Sequence, residues 1–313
     1  MLDFTSLNWN EFFERKEILS IGEDKFNIYI KGTKGPLFYL LHGGGYTGLT
    51  WACFAVFFNL IFYQSIKIKE HISSQIECQI MAPDLCDHGD TQVADNSDMS
   101  AERMAKDVCS IYFHLFGKRE TPPSLILIGH SMGGAIAIHV ASSALIPNIL
   151  VVSAIDVVEG SAMASLNIMH QFLRERPQTF VSLEKAIEWC VKNRVTSNLR
   201  AAKVSMPSRL VSFENSNEKK MLRWKTNLTK TESFWKGWFK GLSKLFLSCE
   251  SVKVLILANI DRLDKELLIG QMKGQFQLEV MHKSGHAVHE DNPEDVAKIF
   301  VRIIERHKKI LNF

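Results

Sequence analysis

The sequence predicts an α/β fold in which helices flank both faces of a mostly parallel central sheet. Short apolar runs rich in β-branched residues alternate with helical patterns along most of the 313 residues, as expected for strands buried on both faces. Over residues 157–249 this alternation stops and helix formers predominate. The alternation then resumes, so we predict one domain, 1–313, with a helical cap insertion at 157–249.

The strands are predicted from apolar runs bounded by turn residues. They are Lys25–Ile30, Leu37–Leu41, Gln79–Ala82, Leu125–Ile128, Leu150–Ile155, Lys253–Leu257 and Phe276–Val280. Helices are predicted at Ser100–Leu115, which begins with serine, and at Pro293–His307, which begins with proline. Within the insertion, Ser212–Lys220 is polar and is predicted to be a loop.

The composition excludes several classes of protein. Thirty-seven Lys and Arg against 34 Asp and Glu give a formal net charge of +3, too little to indicate nucleic acid or a membrane surface as a partner. No apolar stretch is long enough to cross a bilayer, and a secretory signal pattern is absent. The six scattered cysteines indicate reduced thiols, so we expect a cytoplasmic or nuclear protein.

The strongest functional signal is the segment LILIGHSMGGA, at residues 125–135. A buried-strand pattern leads into G-x-S-x-G, with Ser131 at its centre, and a helical pattern follows. Such a sharp strand-to-helix turn exposes the serine hydroxyl, and small residues two before and two after the serine let the backbone fold this tightly. We therefore interpret Ser131 as a nucleophile.

A glycine loop, HGGG at residues 42–45, directly follows the strand Leu37–Leu41. Glycines let backbone N–H groups approach the oxygen of a tetrahedral intermediate, and the residue after the nucleophile supplies a further donor. We predict an oxyanion hole formed by Gly43, Gly44 and Met132. A phosphate loop is a poorer interpretation, because no Gly-Lys-Ser/Thr follows.

The candidate general base lies in the loop HKSGHAVHE, at residues 282–290, between the last strand and the final helix. Serine hydrolases of this type deliver their histidine from such a late loop. His286 follows a flexible glycine and is the preferred base over His282 and His289. A metal site made of all three histidines is disfavoured, since a loop offers no fixed face to hold the ligands.

Two positions compete for the acid that orients this histidine. Asp156 ends the strand Leu150–Ile155, whereas Asp261 and Asp264 follow the strand Lys253–Leu257. Both positions lie at the same edge of the predicted sheet. Fold-level habit favours the later one, and the spacing leaves both open.

Several longer segments resemble protein phosphatase methylesterase, an α/β-hydrolase family. They are HGGGYTGLTWACF, IGHSMGGAIAIHVASSALIP, IDVVEGSAMASLNIMHQFLRERPQTFVSLEKAIEW, FWKGWFKGLSKLFLSC, DRLDKELLIGQMKGQFQLEV and GHAVHEDNPEDVA. The resemblance extends through almost the whole chain, including the insertion. DVVEGxAM is specific to that family, whereas G-x-S-x-G is shared by many unrelated hydrolases.

The resemblance implies an α/β-hydrolase fold and a serine carboxylesterase that needs no cofactor. Its implied substrate is the methyl ester on the C-terminal leucine of the type 2A protein phosphatase catalytic subunit. It also implies that the aspartate of DVVEG, Asp156, is the acid, with Ser131 as nucleophile and His286 as base. Asp261 then becomes a structural or substrate-side residue.

The chain departs from the family pattern in two places that matter here. The family motif DLRxHG reads DLCDHG at residues 84–89, so Cys86 replaces an arginine. The stretch between Trp51 and Asp84 is longer than in the family, and residues 56–69 have the character of an insertion.

The segment Trp224–Phe246 interleaves aromatic residues with lysines. Trp235, Lys236 and Trp238 are candidates for a docking surface that binds the phosphatase tail. The alternative is that the tryptophans form the buried face of a cap helix. The residues support both interpretations equally, and the resemblance favours docking.

Two alternative functions stand beside the phosphatase esterase. One is a binding protein that captures inactive phosphatase, and the other is a generic hydrolase of small esters. The intact set of Ser131, Asp156 and His286 favours retained catalysis over capture.

Overall fold

The computed structural model describes residues 2–58, 78–214, 218–260 and 263–307. Its centre is an eight-stranded sheet with the order β1-β2-β4-β3-β5-β6-β10-β11. β1 is antiparallel to β2 and β2 to β4, whereas the other neighbours are parallel. The strands of this sheet are β1 (Arg15–Ile21), β2 (Asp24–Lys31), β3 (Leu37–Leu41), β4 (Gln79–Pro83), β5 (Leu125–His130), β6 (Ile149–Ile155), β10 (Val252–Leu257) and β11 (Gln277–Val280).

Helices cover both faces of this sheet. The helices among the described residues, including those of the insertion, are α1 (52–58), α2 (Ala101–Phe116), α3 (Met132–Ser143), α4 (Glu159–Glu175), α5 (Leu183–Lys192), α6 (Leu199–Ser208), α7 (Glu232–Phe239), α8 (Leu242–Ser248), α9 (Lys265–Met272), α10 (Val288–Asp291) and α11 (Pro293–His307). None of these helices is long and apolar enough to cross a membrane. The prediction of a mostly parallel sheet flanked by helices is confirmed.

The alternation of side chains along the strands divides the core into two layers. In β3, Leu37, Tyr39 and Leu41 pack into one cluster together with residues of α2 and α3. Phe38 and Leu40 pack on the opposite face with residues of α1 and α11. Since every residue of β3 is buried, the strand reads as one continuous apolar run, which is how the sequence predicts it.

The chain between β6 and β10 contains a small sheet that was not predicted. Besides α4–α8, it forms an antiparallel sheet of β7 (Thr179–Phe180), β9 (Lys220–Trp224) and β8 (Leu210–Glu214), in that order. The insertion is therefore mainly helical, as predicted, but its three strands were not predicted. The predicted loop at 212–220 is wrong, because Glu214 pairs with Lys220 across β8 and β9; residues 215–217 lie outside the described residues. Only Leu210 of the ten residues in β8 and β9 is buried, so these strands lack the buried apolar run of a core strand.

The tryptophans predicted to contact a partner are buried. Trp235 and Trp238, on α7, are 5% and 4% exposed. Their indole N–H groups donate to Thr231 Oγ1 and to the carbonyl oxygen of Met99, each at 2.7 Å. Both rings belong to the core layer that contains α3, so the prediction that they line a docking surface is wrong. Lys236, between them, is exposed.

Candidate active site

Ser131 occupies a strained turn between β5 and α3. Its backbone has φ 52° and ψ −121°, a conformation that costs a non-glycine residue free energy and is typical of functional sites. The turn needs glycine on either side, because a Cβ on Gly129 would collide with the carbonyl of Gly133 and a Cβ on Gly133 with that of His42. The Ser131 N–H donates to the Ile155 carbonyl oxygen at 2.9 Å, which ties the turn to β6.

The structure brings His286 and Asp156 together. His286 Nδ1 lies 2.7 Å from Asp156 Oδ2, and the Asp156 side chain is fully buried while that of His286 is 46% exposed. The Ala258 N–H donates to the other carboxylate oxygen, Oδ1, at 3.0 Å. Because the carboxylate accepts, Nδ1 carries the proton, and His286 Nε2 is left to exchange one.

The competing acid positions have other partners or lie outside the description. Asp264 Oδ1 accepts from the Leu267 N–H at 3.0 Å and caps α9, while its Oδ2 accepts from Ser243 Oγ at 2.6 Å. Asp261 lies outside the described residues. Of the aspartates that are described, the structure pairs Asp156 with the histidine.

Ser131, Asp156 and His286 line a single open cavity of about 310 Å³. The rest of its wall is mainly apolar and includes Leu166, Ile168, Met169 and Phe172 of α4 together with Phe239 of α7. The insertion therefore supplies most of the surface that a substrate would meet beside the serine.

The glycine loop lies against the nucleophile. A Cβ on Gly43 would be 3.2 Å from the Ser131 Cβ, and one on Gly44 would be 3.8 Å from the Met132 sulfur. Among the described residues, the N–H groups of Gly43, Gly44 and Met132 have no backbone or side-chain acceptor. Donors without a protein acceptor beside the serine are what an oxyanion hole requires.

Two buried histidines whose role the sequence did not predict hold this loop in place. His42 Nε2 accepts from the Leu85 N–H at 2.9 Å, so its Nδ1–H donates to the Gly43 carbonyl oxygen at 2.8 Å. His88 Nε2 accepts from the Gly45 N–H at 2.9 Å, so its Nδ1–H donates to the Cys86 carbonyl oxygen at 2.8 Å. Burial lowers the pKa of both imidazoles, which keeps them neutral and able to accept. The DLCDHG motif was the available signal for His88.

The departure at Cys86 does not reach the cavity. The side chain is 1% exposed and packs in the core layer with α2, and it is absent from the described wall of the cavity. Burial raises the pKa of this thiol to about 12, so it is unreactive. The inserted stretch falls mostly in 59–77, outside the described residues.

The other two histidines of the late loop have different environments. His282 is exposed, whereas His289 is fully buried and bonded through Nε2 to Thr50 Oγ1 at 2.9 Å. Within the described ranges, no three His, Cys, Asp or Glu side chains are grouped so as to hold a metal ion.

This arrangement of serine turn, histidine–aspartate pair and glycine loop on a mostly parallel sheet defines an α/β-hydrolase. A family model described as the alpha/beta hydrolase family matches residues 38–299. The crystal structure of E-2-(acetamidomethylene)succinate hydrolase superposes with a TM-score of 0.69 at 18% identity, covering 93% of this chain and 99% of that one. An esterase of Mycobacterium tuberculosis superposes with a TM-score of 0.66 at 16% identity, covering 93% and 92%. At these identities the likeness shows the fold alone.

Curated relatives narrow the class. The probable protein phosphatase methylesterase 1 of Caenorhabditis elegans is 45% identical over 98% of this chain and 79% of its own length. The protein phosphatase methylesterase 1 of Homo sapiens is 42% identical over 98% of this chain and 86% of its own length. The chain belongs to the protein phosphatase methylesterase family, as the resemblance predicts, and is a carboxylic ester hydrolase.

Proposed function

We propose that this esterase removes the methyl ester from the C-terminal leucine of the type 2A protein phosphatase catalytic subunit, with Ser131 as nucleophile. The observation that carries the proposal is the 2.7 Å bond between His286 Nδ1 and Asp156 Oδ2 in the same cavity as Ser131. The names of the relatives supply the kind of substrate.

The chemistry proceeds in two halves. Ser131 Oγ attacks the ester carbonyl carbon while His286 Nε2 takes its proton, and the N–H groups of Gly43, Gly44 and Met132 stabilise the oxyanion. The C–O bond to the methoxy group breaks, and that oxygen takes the proton from His286 and leaves as methanol. Water then attacks the acyl-enzyme, loses a proton to His286, and the proton returns to Ser131 as the leucine carboxylate departs.

The wall of the cavity supports a substrate that ends in an apolar residue. Leu166, Met169 and Phe239 present hydrocarbon beside the serine, and such surface favours an aliphatic side chain over a charged one. We place the protein in the cytoplasm or nucleus. This is supported by buried thiols outside any disulfide at Cys53, Cys86, Cys109, Cys190 and Cys249, as expected of a reducing compartment.

The test is incubation with a methylated type 2A phosphatase catalytic subunit while methanol release and loss of the ester are followed. The wild-type chain should release one methanol for each ester lost, and Ser131→Ala should release none. A chain that binds the phosphatase but leaves the ester intact would overturn the proposal and favour capture. Hydrolysis that persists in Ser131→Ala would refute the nucleophile.

A further inference from the structure

Helix α6 of the insertion ends between the two loops that form the candidate active site. The guanidinium of Arg209, directly after α6, lies 2.9 Å from a carboxylate oxygen of Glu290, with side-chain exposures of 4% and 0%. The same guanidinium lies 3.8 Å from the ring centroid of Tyr46, which follows the glycine loop. Ser208 and Thr47 are joined by their hydroxyl groups.

The start of α6 holds the histidine loop. Asn198 Nδ2 donates to the Glu290 carbonyl oxygen at 2.9 Å. The Ser197 N–H and the Thr196 hydroxyl donate to Asp291 Oδ1 at 2.6 and 2.9 Å. Asp291 Oδ2 in turn accepts from the Gly285 N–H at 2.6 Å, next to the candidate base. Both ends of α6 therefore reach the segment that carries His286.

Buried contacts continue from Glu290 to His286. The Thr50 hydroxyl donates to Glu290 Oε1 at 2.6 Å and accepts from His289 Nε2 at 2.9 Å. The His289 ring lies 4.5 Å from the His130 ring, centroid to centroid. His130 Nε2 donates to the His286 carbonyl oxygen at 2.9 Å. The chain of contacts thus runs from the insertion to the backbone of the candidate base.

We propose that α6 fixes the distance between His286 and the glycine loop, and that Arg209, directly after α6, is the positioning residue. A guanidinium can pair with a carboxylate and stack on a ring at the same time, which an ammonium cannot do as well. A buried ion pair adds little net stability compared with apolar packing, but each charge must keep its partner. Arg209 therefore fixes the position of Glu290 relative to Tyr46.

This inference rests on the proposed roles of Ser131 and His286, and a mutant cycle tests it. Arg209→Met leaves the buried Glu290 carboxylate unpaired, so it should lower the thermal midpoint. It should also lower kcat on p-nitrophenyl acetate by about 10²-fold, because the reacting groups are misplaced, with KM nearly unchanged. The double variant Arg209→Met/Glu290→Gln removes both charges and should regain the midpoint but not kcat. Recovery of both together would show a merely structural pair and overturn the proposal.

Three further variants make the result unambiguous. Arg209→Lys keeps the charge and should retain more kcat than Arg209→Met. Ile304 is buried beside the first residues of β6 and β10, at the end of the sheet away from the candidate active site. Ile304→Ala should therefore lower the thermal midpoint without changing kcat. Ser131→Ala must be inactive, since turnover there would refute the proposed function itself. An inactive Ser131→Ala together with a fully active double variant would refute the positioning role of α6 and Arg209 and leave the proposed function standing.

Discussion

At the scale of single residues, the acid is the member of the candidate triad that most needs a test. Asp156→Asn keeps the shape of the side chain but turns an acceptor into a mixed donor and acceptor, so His286 would adopt the wrong tautomer. We expect kcat on a small activated ester to fall by about 10⁴-fold with the fold intact. Steady-state kinetics and circular dichroism measure the two effects.

Asp264→Asn is the matched control, because Asp264 follows β10, the other strand whose end could supply the acid. Asp264 caps α9 through the Leu267 N–H, and asparagine caps a helix about as well as aspartate. Both kcat and stability should stay close to wild type. A larger loss of kcat at Asp264 than at Asp156 would contradict the assignment.

Some residues of the candidate site could be predicted from sequence motifs, and others could not. Ser131 and His286 lie in motifs whose local backbone has a recognisable pattern, so they could be predicted directly. Asp156 could not be chosen by spacing, because β6 and β10 end at the same edge of the sheet. His42 was hidden for another reason: it acts by bonding backbone groups of two loops, and no short pattern records such contacts.

At the scale of elements, the core strands were predictable because burial on both faces produces uninterrupted apolar runs. β1 was missed, since it lies at the edge of the sheet and only Leu19 along it is buried. The hairpin of β8 and β9 was missed because only Leu210 along its two strands is buried. The helix Pro293–His307 was predicted with the bounds it has, because its proline and its amphipathic period mark it locally.

Glu159, the glutamate of the DVVEG segment, connects the start of α4 to the start of α8. Glu159 accepts from the N–H groups of Gly241 and Ser243 at 2.7 and 3.1 Å, which places its charge at the start of α8. Glu159→Ala should lower the free energy of unfolding by about 1–2 kcal/mol, as for loss of a helix cap, without lowering kcat on a small ester. Urea unfolding measures the change.

Glu175→Ala provides the comparison from the exposed last turn of the same helix. Such a surface change should alter the free energy of unfolding by less than about 0.5 kcal/mol. A large fall in kcat for Glu159→Ala at preserved stability would instead place this carboxylate in the chemistry.

At the scale of the whole molecule, the buried histidines predict sensitivity to acid. Burial lowers the pKa of His42, His88, His130 and His289, so each is neutral when folded but takes up a proton below about pH 6.5 when unfolded. The unfolded state then binds more protons, and stability falls with falling pH by up to about 1.4 kcal/mol per pH unit for each histidine. Burial raises the pKa of Asp107 to about 6, which offsets part of this loss.

Urea unfolding between about pH 7.5 and 5.5 measures this dependence, which spans the ordinary histidine pKa. His289→Asn should make the slope shallower by about one histidine's share. A free energy of unfolding that stays flat over this range would contradict the account.

The apolar rim of the candidate active site bears on the choice of substrate. A methylated tail peptide offers few contacts, whereas a folded phosphatase can contribute remote contacts that help to assemble the site. Ile168 and Phe172 of α4 line the cavity and yet are 63% and 56% exposed, so its rim presents apolar surface to a large substrate. We expect a much higher kcat/KM for the methylated phosphatase than for its isolated tail peptide.

Variants at the rim should narrow this difference. Phe172→Ser at the rim should lower kcat/KM for the phosphatase, because it removes apolar surface that only a large substrate reaches. Lys236→Glu, on the exposed face of the neighbouring helix α7, should do the same by reversing a surface charge. Both variants should leave hydrolysis of a small activated ester nearly unchanged. Leu145→Ser is the control, because it alters a side chain that is 60% exposed at the end of the sheet away from the candidate active site. It should leave kcat/KM for both substrates unchanged. Equal kcat/KM for protein and peptide would show that the rim does not select a folded partner, and that the enzyme recognises the ester and its leucine alone.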